Sequence, residues 1–129
     1  CKRGDKVGKY TDIAKTLYSY FSQFDCPAYA KGNIPSNATR PYLTYTVDYV
    51  PDYEDNIIQV MVYTEGKSLS KVVEIVDKLE TSLGEGITIK ANGNSFTSMY
   101  LRKGSPFVHY MNDDDVEMSA YINIINKIL

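Results

Sequence analysis

The stretch Pro41-Tyr42-Leu43-Thr44-Tyr45-Thr46-Val47-Asp48-Tyr49 limits the fold more than any other part of the chain. β-Branched and aromatic residues crowd it, and Leu43, Tyr45, Val47 and Tyr49 alternate with Thr44, Thr46 and Asp48. Period-two alternation sends one set to a buried face and the other to the opposite face, so the segment reads as a strand. Pro41 is tolerated at its start, where no interior ladder donor is lost. After an acidic link from Val50 to Asn56, a second strand reads from Ile57 to Thr64, with Ile58, Val60 and Val62 on one face. Neighbouring strands joined by a short polar link are expected to pair as an antiparallel hairpin.

Helical periodicity flanks this pair. Ile13, Leu17, Tyr20, Phe21 and Phe24 fall on one face of a helix expected over residues 11–24, with Thr11 or Asp12 as its cap and Cys26-Pro27 as its stop. Ala28 to Arg40, with Gly32 and Pro35, reads as an extended loop. Ser68 is expected to cap a second helix reaching Leu83, striped by Val72, Val73, Ile75, Val76, Leu79 and Leu83 and ended by Gly84 and Gly86. A short strand Ile87–Lys90, a tight turn Asn92-Gly93-Asn94 and a strand Phe96–Arg102 follow, the last broken by Gly104-Ser105-Pro106. Met118, Ala120, Ile122, Ile124 and Ile128 alternate through a long final strand from Val116, with a helix as the alternative; Asn126 interrupts the apolar series.

The expected order is therefore α-β-β-α-β-β-β: an α+β domain over residues 11–129, preceded by a basic arm over residues 1–10. Such an order suits a mostly antiparallel sheet with two helices packed on one face. The opposite face then carries Tyr42, Thr44, Thr46, Ile57, Met61 and Tyr63. A contiguous apolar patch of that kind marks an interaction surface. Composition points the same way, with twelve Tyr against four Phe and no Trp. A tyrosine joins a large apolar ring to a polar tip, which suits strand faces and subunit contacts alike.

Charge removes some functions. The net charge of −2 is wrong for a general nucleic-acid binder. Residues 1–40 carry seven Lys/Arg against three Asp/Glu, and residues 41–129 carry seven against thirteen, so the arm and the body differ in sign. Acidic loops at Asp52-Glu54-Asp55 and Asp113-Asp114-Asp115 offer a rim that a basic arm of another copy complements. The two cysteines, Cys1 and Cys26, make no disulfide framework and suit a reducing compartment. No apolar run approaches the about 20 residues of a membrane span.

Residues for catalysis are scarce. His109, the single histidine, sits among Phe107, Val108 and Tyr110 with no nucleophile or carboxylate placed beside it by the sequence. Asp113-Asp114-Asp115 lacks the alternating ligands and turn glycine of a calcium loop. Phosphate-cradling, zinc-ligand and nucleophile-elbow patterns do not occur. Arg3-Gly4-Asp5 and Asn37-Ala38-Thr39 match short adhesion and glycosylation patterns of the kind that arise by chance. No enzyme, cofactor or metal site is expected.

Asp25-Cys26-Pro27-Ala28-Tyr29, Ile34-Pro35, Pro41-Tyr42-Leu43-Thr44-Tyr45, Val62-Tyr63-Thr64, the Ser68 helix start and Leu101-Arg102-Lys103-Gly104-Ser105-Pro106-Phe107 together resemble the tail terminator, or tail completion, proteins of long non-contractile phage tails. The resemblance touches most of the chain from Thr11 onward and leaves out the basic arm. It implies a hexameric ring of copies seated on the tail tube protein. That ring ends tube growth and offers a surface to the head completion or connector protein, in the virion after assembly in the host cytoplasm. Two rivals stand beside it. One is another head–tail connector or completion protein; the other is a cellular ligand-binding α+β module, lipid-anchored through Cys1.

Overall fold

The computed structural model describes residues 9–46, 48, 51, 53–66, 69–90, 98–111 and 117–129. Its elements are α1 (Lys9–Phe21), β1 (Ala28–Ala30), β2 (Tyr42–Tyr45), β3 (Asp55–Glu65), α2 (Ser70–Leu83), β4 (Ile87–Lys90), β5 (Ser98–Met111) and β6 (Glu117–Ile128). The strands form one mixed, curled sheet in the order β1-β2-β3-β6-β5-β4. The α+β class stands, but the order is α-β-β-β-α-β-β-β, because a strand lies where an extended loop was expected. β1 runs parallel to β2, held by Leu43 N–H to Pro27 O at 2.9 Å and Lys31 N–H to Tyr45 O at 2.8 Å. Ala-Tyr-Ala between Pro27 and Lys31-Gly32 has too little strand propensity to announce itself; its pairing with β2 makes it a strand.

β3 and β6 pair antiparallel along their whole length, from Asp55↔Lys127 to Glu65↔Glu117. Their alternation splits cleanly. Ile58, Val60, Val62 and Thr64 of β3 face Ile124, Ile122, Ala120 and Met118 of β6, and all are buried. Against this inner face lie Ile13, Leu17 and Phe21 of α1 and Val72, Ile75, Leu79 and Leu83 of α2, in the same core cluster. The two helices are tied together where the Tyr20 and Ser82 hydroxyls share a hydrogen bond of 2.8 Å. The Phe21 ring stacks on Tyr45 at 4.9 Å, which fixes α1 over β2. Full burial of each such side chain contributes about 1.5–3 kcal/mol before entropy is charged against it.

Several boundaries differ from expectation. α1 begins at Lys9, so Thr11 and Asp12 lie in its first turn; the Thr16 hydroxyl donates to Asp12 O at 2.7 Å. It ends at Phe21, before Cys26-Pro27; the Ser22 amide and hydroxyl both satisfy Tyr18 O in its last turn, and Asp25 beyond it takes a left-handed φ of 67°. α2 has Leu69 at its N-cap position, without a side-chain cap bond, and the expected cap Ser68 lies outside the described residues. β2 stops at Tyr45; next to it the Gln59 amide bonds the Thr46 side-chain oxygen at 3.0 Å, where a longer ladder would use backbone. The expected ends of that strand at Val47 and Tyr49, and the Asn92-Gly93-Asn94 turn, lie outside the described residues.

Gly104-Ser105-Pro106 does not end β5. The ladder to β6 slips there, from Lys103↔Ile124 to Val108↔Ile122, and pairing resumes to Met111. An irregularity of this kind absorbs a proline that an unbroken strand would not tolerate. Gly104 is required by proximity, since a Cβ there would lie 2.9 Å from the Asn123 carbonyl oxygen. The Asn123 amide donates to Pro106 O at 3.1 Å and holds the displaced turn against β6.

Candidate interaction surface on the outer sheet face

Register places the outer face residue by residue. Tyr42 lies opposite Tyr63, Thr44 opposite Met61, and Ile57 opposite Ile125. Tyr121 opposes both Met61 and His109, and Ile125 opposes Arg102. Tyr42, Thr44, Met61, Tyr63 and Ile57 therefore share one face, as their alternation requires, and Thr46 continues the same parity beside Gln59.

Their exposure is uneven. Tyr29 of β1 meets the Tyr42 ring at 5.8 Å and 62°, and Tyr42 meets Tyr63 at 5.1 Å and 36°. Edge and tilted contacts of this kind are favourable for aromatic quadrupoles. Beneath them Thr44 is only 5% exposed, so it supports the cluster and is not itself open to a partner. Burial, with Tyr42 and Glu117 nearby, raises the Tyr63 phenol above its ordinary range, so it stays a neutral hydrogen-bonding group. Ile57 is 53% exposed and is the most open apolar side chain among the expected contact residues.

The acidic rim is reshaped. Asp55 lies 3.7 Å from both Arg102 Nη2 and Lys127 Nζ, so its charge is shared with two cations of the same face. Glu54 is exposed. Asp52 and Asp113-Asp114-Asp115 lie outside the described residues. Between them in sequence, Tyr53 is 71% exposed at a φ of +69°, its amide bonded to Ile128 O at 2.7 Å. A tyrosine between acids, two residues after Pro51, was the available sign of a projecting turn.

At the other end of the face, Arg40 Nη1 lies 3.2 Å from Glu117 Oε2. The pair lines a cleft of about 300 Å³ with Ala38, Thr39, Tyr42 and Glu65. Elsewhere, His109 is exposed on β5 opposite Tyr121. Cys26 is 7% exposed, and burial pushes its thiol up to about 11, far from nucleophilic at neutral pH. Among the described residues no three His, Cys, Asp or Glu side chains are grouped to hold a metal ion, and no helix is long and apolar enough to cross a membrane. Cys1 lies outside the described residues. What the outer face offers is aromatic and aliphatic contact area edged by paired charges, the make-up of a protein-binding surface.

Comparison with protein-family models and with curated proteins finds no match to this sequence.

Proposed function

We propose that this chain is a phage assembly subunit, a tail terminator that caps the tail tube, ends its polymerisation and presents the surface on which the head connector docks. The observation that carries the reading is the outer sheet face, where Tyr29, Tyr42 and Tyr63 pack ring on ring beside Met61 and Ile57. Three of the segments that resemble tail terminators build that face or its backing. Pro41–Tyr45 supplies β2, Val62–Thr64 the end of β3, and Leu101–Phe107 the slipped part of β5. Rigid aromatic anchors of low side-chain entropy are what a recognition surface between protein subunits needs. Charge pairs such as Asp55 with Arg102 and Lys127, placed at its edge, set orientation and on-rate more than affinity.

In this reading the partners are further copies of the chain in a hexameric ring, the tail tube protein and the head completion protein. Binding is the whole mechanism. The test is tube assembly in vitro: purified protein is added to polymerising tail tube protein, and lengths and ends are scored by negative-stain microscopy. Capped tubes with a shortened length distribution are expected, and Tyr42→Ala should abolish the capping while leaving the fold intact by circular dichroism. Tubes that grow unaltered, with no density at their tips, would refute the assignment. Binding to portal or head connector rings alone would move the chain to the neighbouring connector class.

A further inference from the structure

The sheet has a bare strand at each end, β1 and β4, among the described residues. Their directions follow from the ladder. β1 is parallel to β2, and each step from β2 through β3, β6 and β5 to β4 is antiparallel. Four reversals restore the original direction, so β4 and β1 point the same way.

Hydrogen-bond parity can be read as well. Pro27 O and Lys31 N–H are used towards β2, so Ala28 turns its amide and carbonyl outward and Ala30 its amide, while Ala30 O is taken by the Asn33 amide at 2.9 Å. On the far side, Leu129 N–H bonds Ser98 O, which directs Ser98 and Tyr100 to β6, and Met99 and Leu101 to β4. Met99 pairs with Ile89 and Leu101 with Ile87, so Thr88 and Lys90 hold the outward groups of β4.

We propose that copies of the chain join edge to edge, β4 of one running parallel to β1 of the next, so that the sheet continues from subunit to subunit. The inference rests on the ring reading above and specifies its contact. In a parallel ladder a residue with outward groups sits opposite one whose groups point away, both side chains on the same face. Ala28 then faces Ile87, and Ala30 faces Ile89, all four on the helix side of the sheet. The amides of Ala28 and Ala30 reach Gly86 O and Thr88 O, and that of Thr88 reaches Ala28 O; Ala30 O, which holds the Asn33 amide, ends the ladder. Antiparallel joining of these two edges fails, because it would set inner-face alanines opposite outer-face Thr88 and Lys90.

Packing selects this contact over β1 with β1 or β4 with β4. Ala30, Ile87 and Ile89 are the partly buried apolar residues at the two ends of the core. The β1 edge is small, and beside it a cleft of about 250 Å³ is lined by Tyr18, Ala28, Tyr29, Ala30, Asn33 and Tyr45. The β4 edge is large and offers isoleucines to fill such a cleft. Joining unlike edges also leaves no strand bare within a closed ring, whereas pairing like edges always leaves one.

Cysteine cross-linking tests the register. In a background lacking Cys1 and Cys26, Ala30→Cys combined with Ile89→Cys should give, on mild oxidation, a ladder of covalent oligomers. Each single variant alone should give none, while a mixture of the two should give covalent dimers. Thr88→Pro removes one outward amide without touching the monomer's own ladder. It should weaken assembly about tenfold or more in analytical ultracentrifugation, at an unchanged circular dichroism spectrum. Rings seen by microscopy without these cross-links overturn the edge contact and leave the ring reading standing. Cross-linked open filaments support the contact and refute the cap. Cross-linking of Ile89→Cys alone, or a species that stays monomeric at the highest concentration reached, overturns the contact.

Discussion

Gly86 is the position at which one added methyl group should cost most for its size. It has a φ of +126°, and a Cβ there would lie 2.1 Å from Tyr100 Oη and 2.6 Å from its Cζ. Two penalties meet in Gly86→Ala. A side chain at that φ costs about 1–3 kcal/mol in backbone strain. The Tyr100 ring must also swing aside, giving up its hydroxyl contact with Glu85 O and part of its packing, for about 1 kcal/mol more. A loss of about 2–4 kcal/mol is expected, a large share of the roughly 5–15 kcal/mol that holds a domain folded. The assay is urea unfolding followed by circular dichroism, with the slope unchanged and the midpoint lowered. A double-mutant cycle with Tyr100→Ala separates the penalties: in that background Gly86→Ala should cost about 1 kcal/mol less, because the ring is gone and only strain remains. Equal costs in both backgrounds, or a total below about 1 kcal/mol, would refute the account.

The buried Cys26 thiol gives a pH dependence. Its proton is held from 9.0 up to about 11, so the folded state binds more protons than the unfolded chain over that interval. Stability from this group is complete below pH 9 and is lost as pH rises towards 11, by about 2 kcal/mol, and Cys26→Ala should flatten part of that fall in urea midpoints. Iodoacetamide labelling of the Cys26 peptide at neutral pH, read by mass spectrometry, should be slow until the protein is unfolded. Asn126 is 3% exposed, and its side-chain carbonyl oxygen has no hydrogen-bond partner among the described residues, so Asn126→Leu should be neutral or stabilising by about 1 kcal/mol in thermal melts.

What was legible in the sequence was whatever repeated over several turns or pleats. α2 and β6 are long amphipathic runs, and most of their periodic residues are buried, with Val73 only partly so and polar Ser119 and Asn126 buried besides. Face parity was equally readable, since Tyr42, Ile57, Met61 and Tyr63 keep the side that alternation assigned. Exposure was not, because the shielding ring of Tyr29 comes from β1, whose three residues become a strand only by bonding to β2. The slip in β5 hid for a related reason. Gly104-Ser105-Pro106 ends strands by local rules, yet Asn123, distant in sequence, holds the turn in place. Tyr53 and the pairing of Asp55 with Arg102 and Lys127 likewise depend on neighbours that only the folded sheet supplies.

The unequal lengths of the ladders set how the molecule yields under tension. β3 is welded to β6 over all its eleven residues without a slip, so a pull along the strands must shear every rung at the same moment. β1 is fastened to β2 by a few rungs alone and peels away singly. Amide protons of Val60, Val62, Ile122 and Ile124 should therefore be the last to exchange with solvent and those around Tyr29 among the first, making the central ladder the beam of the molecule and β1 its latch.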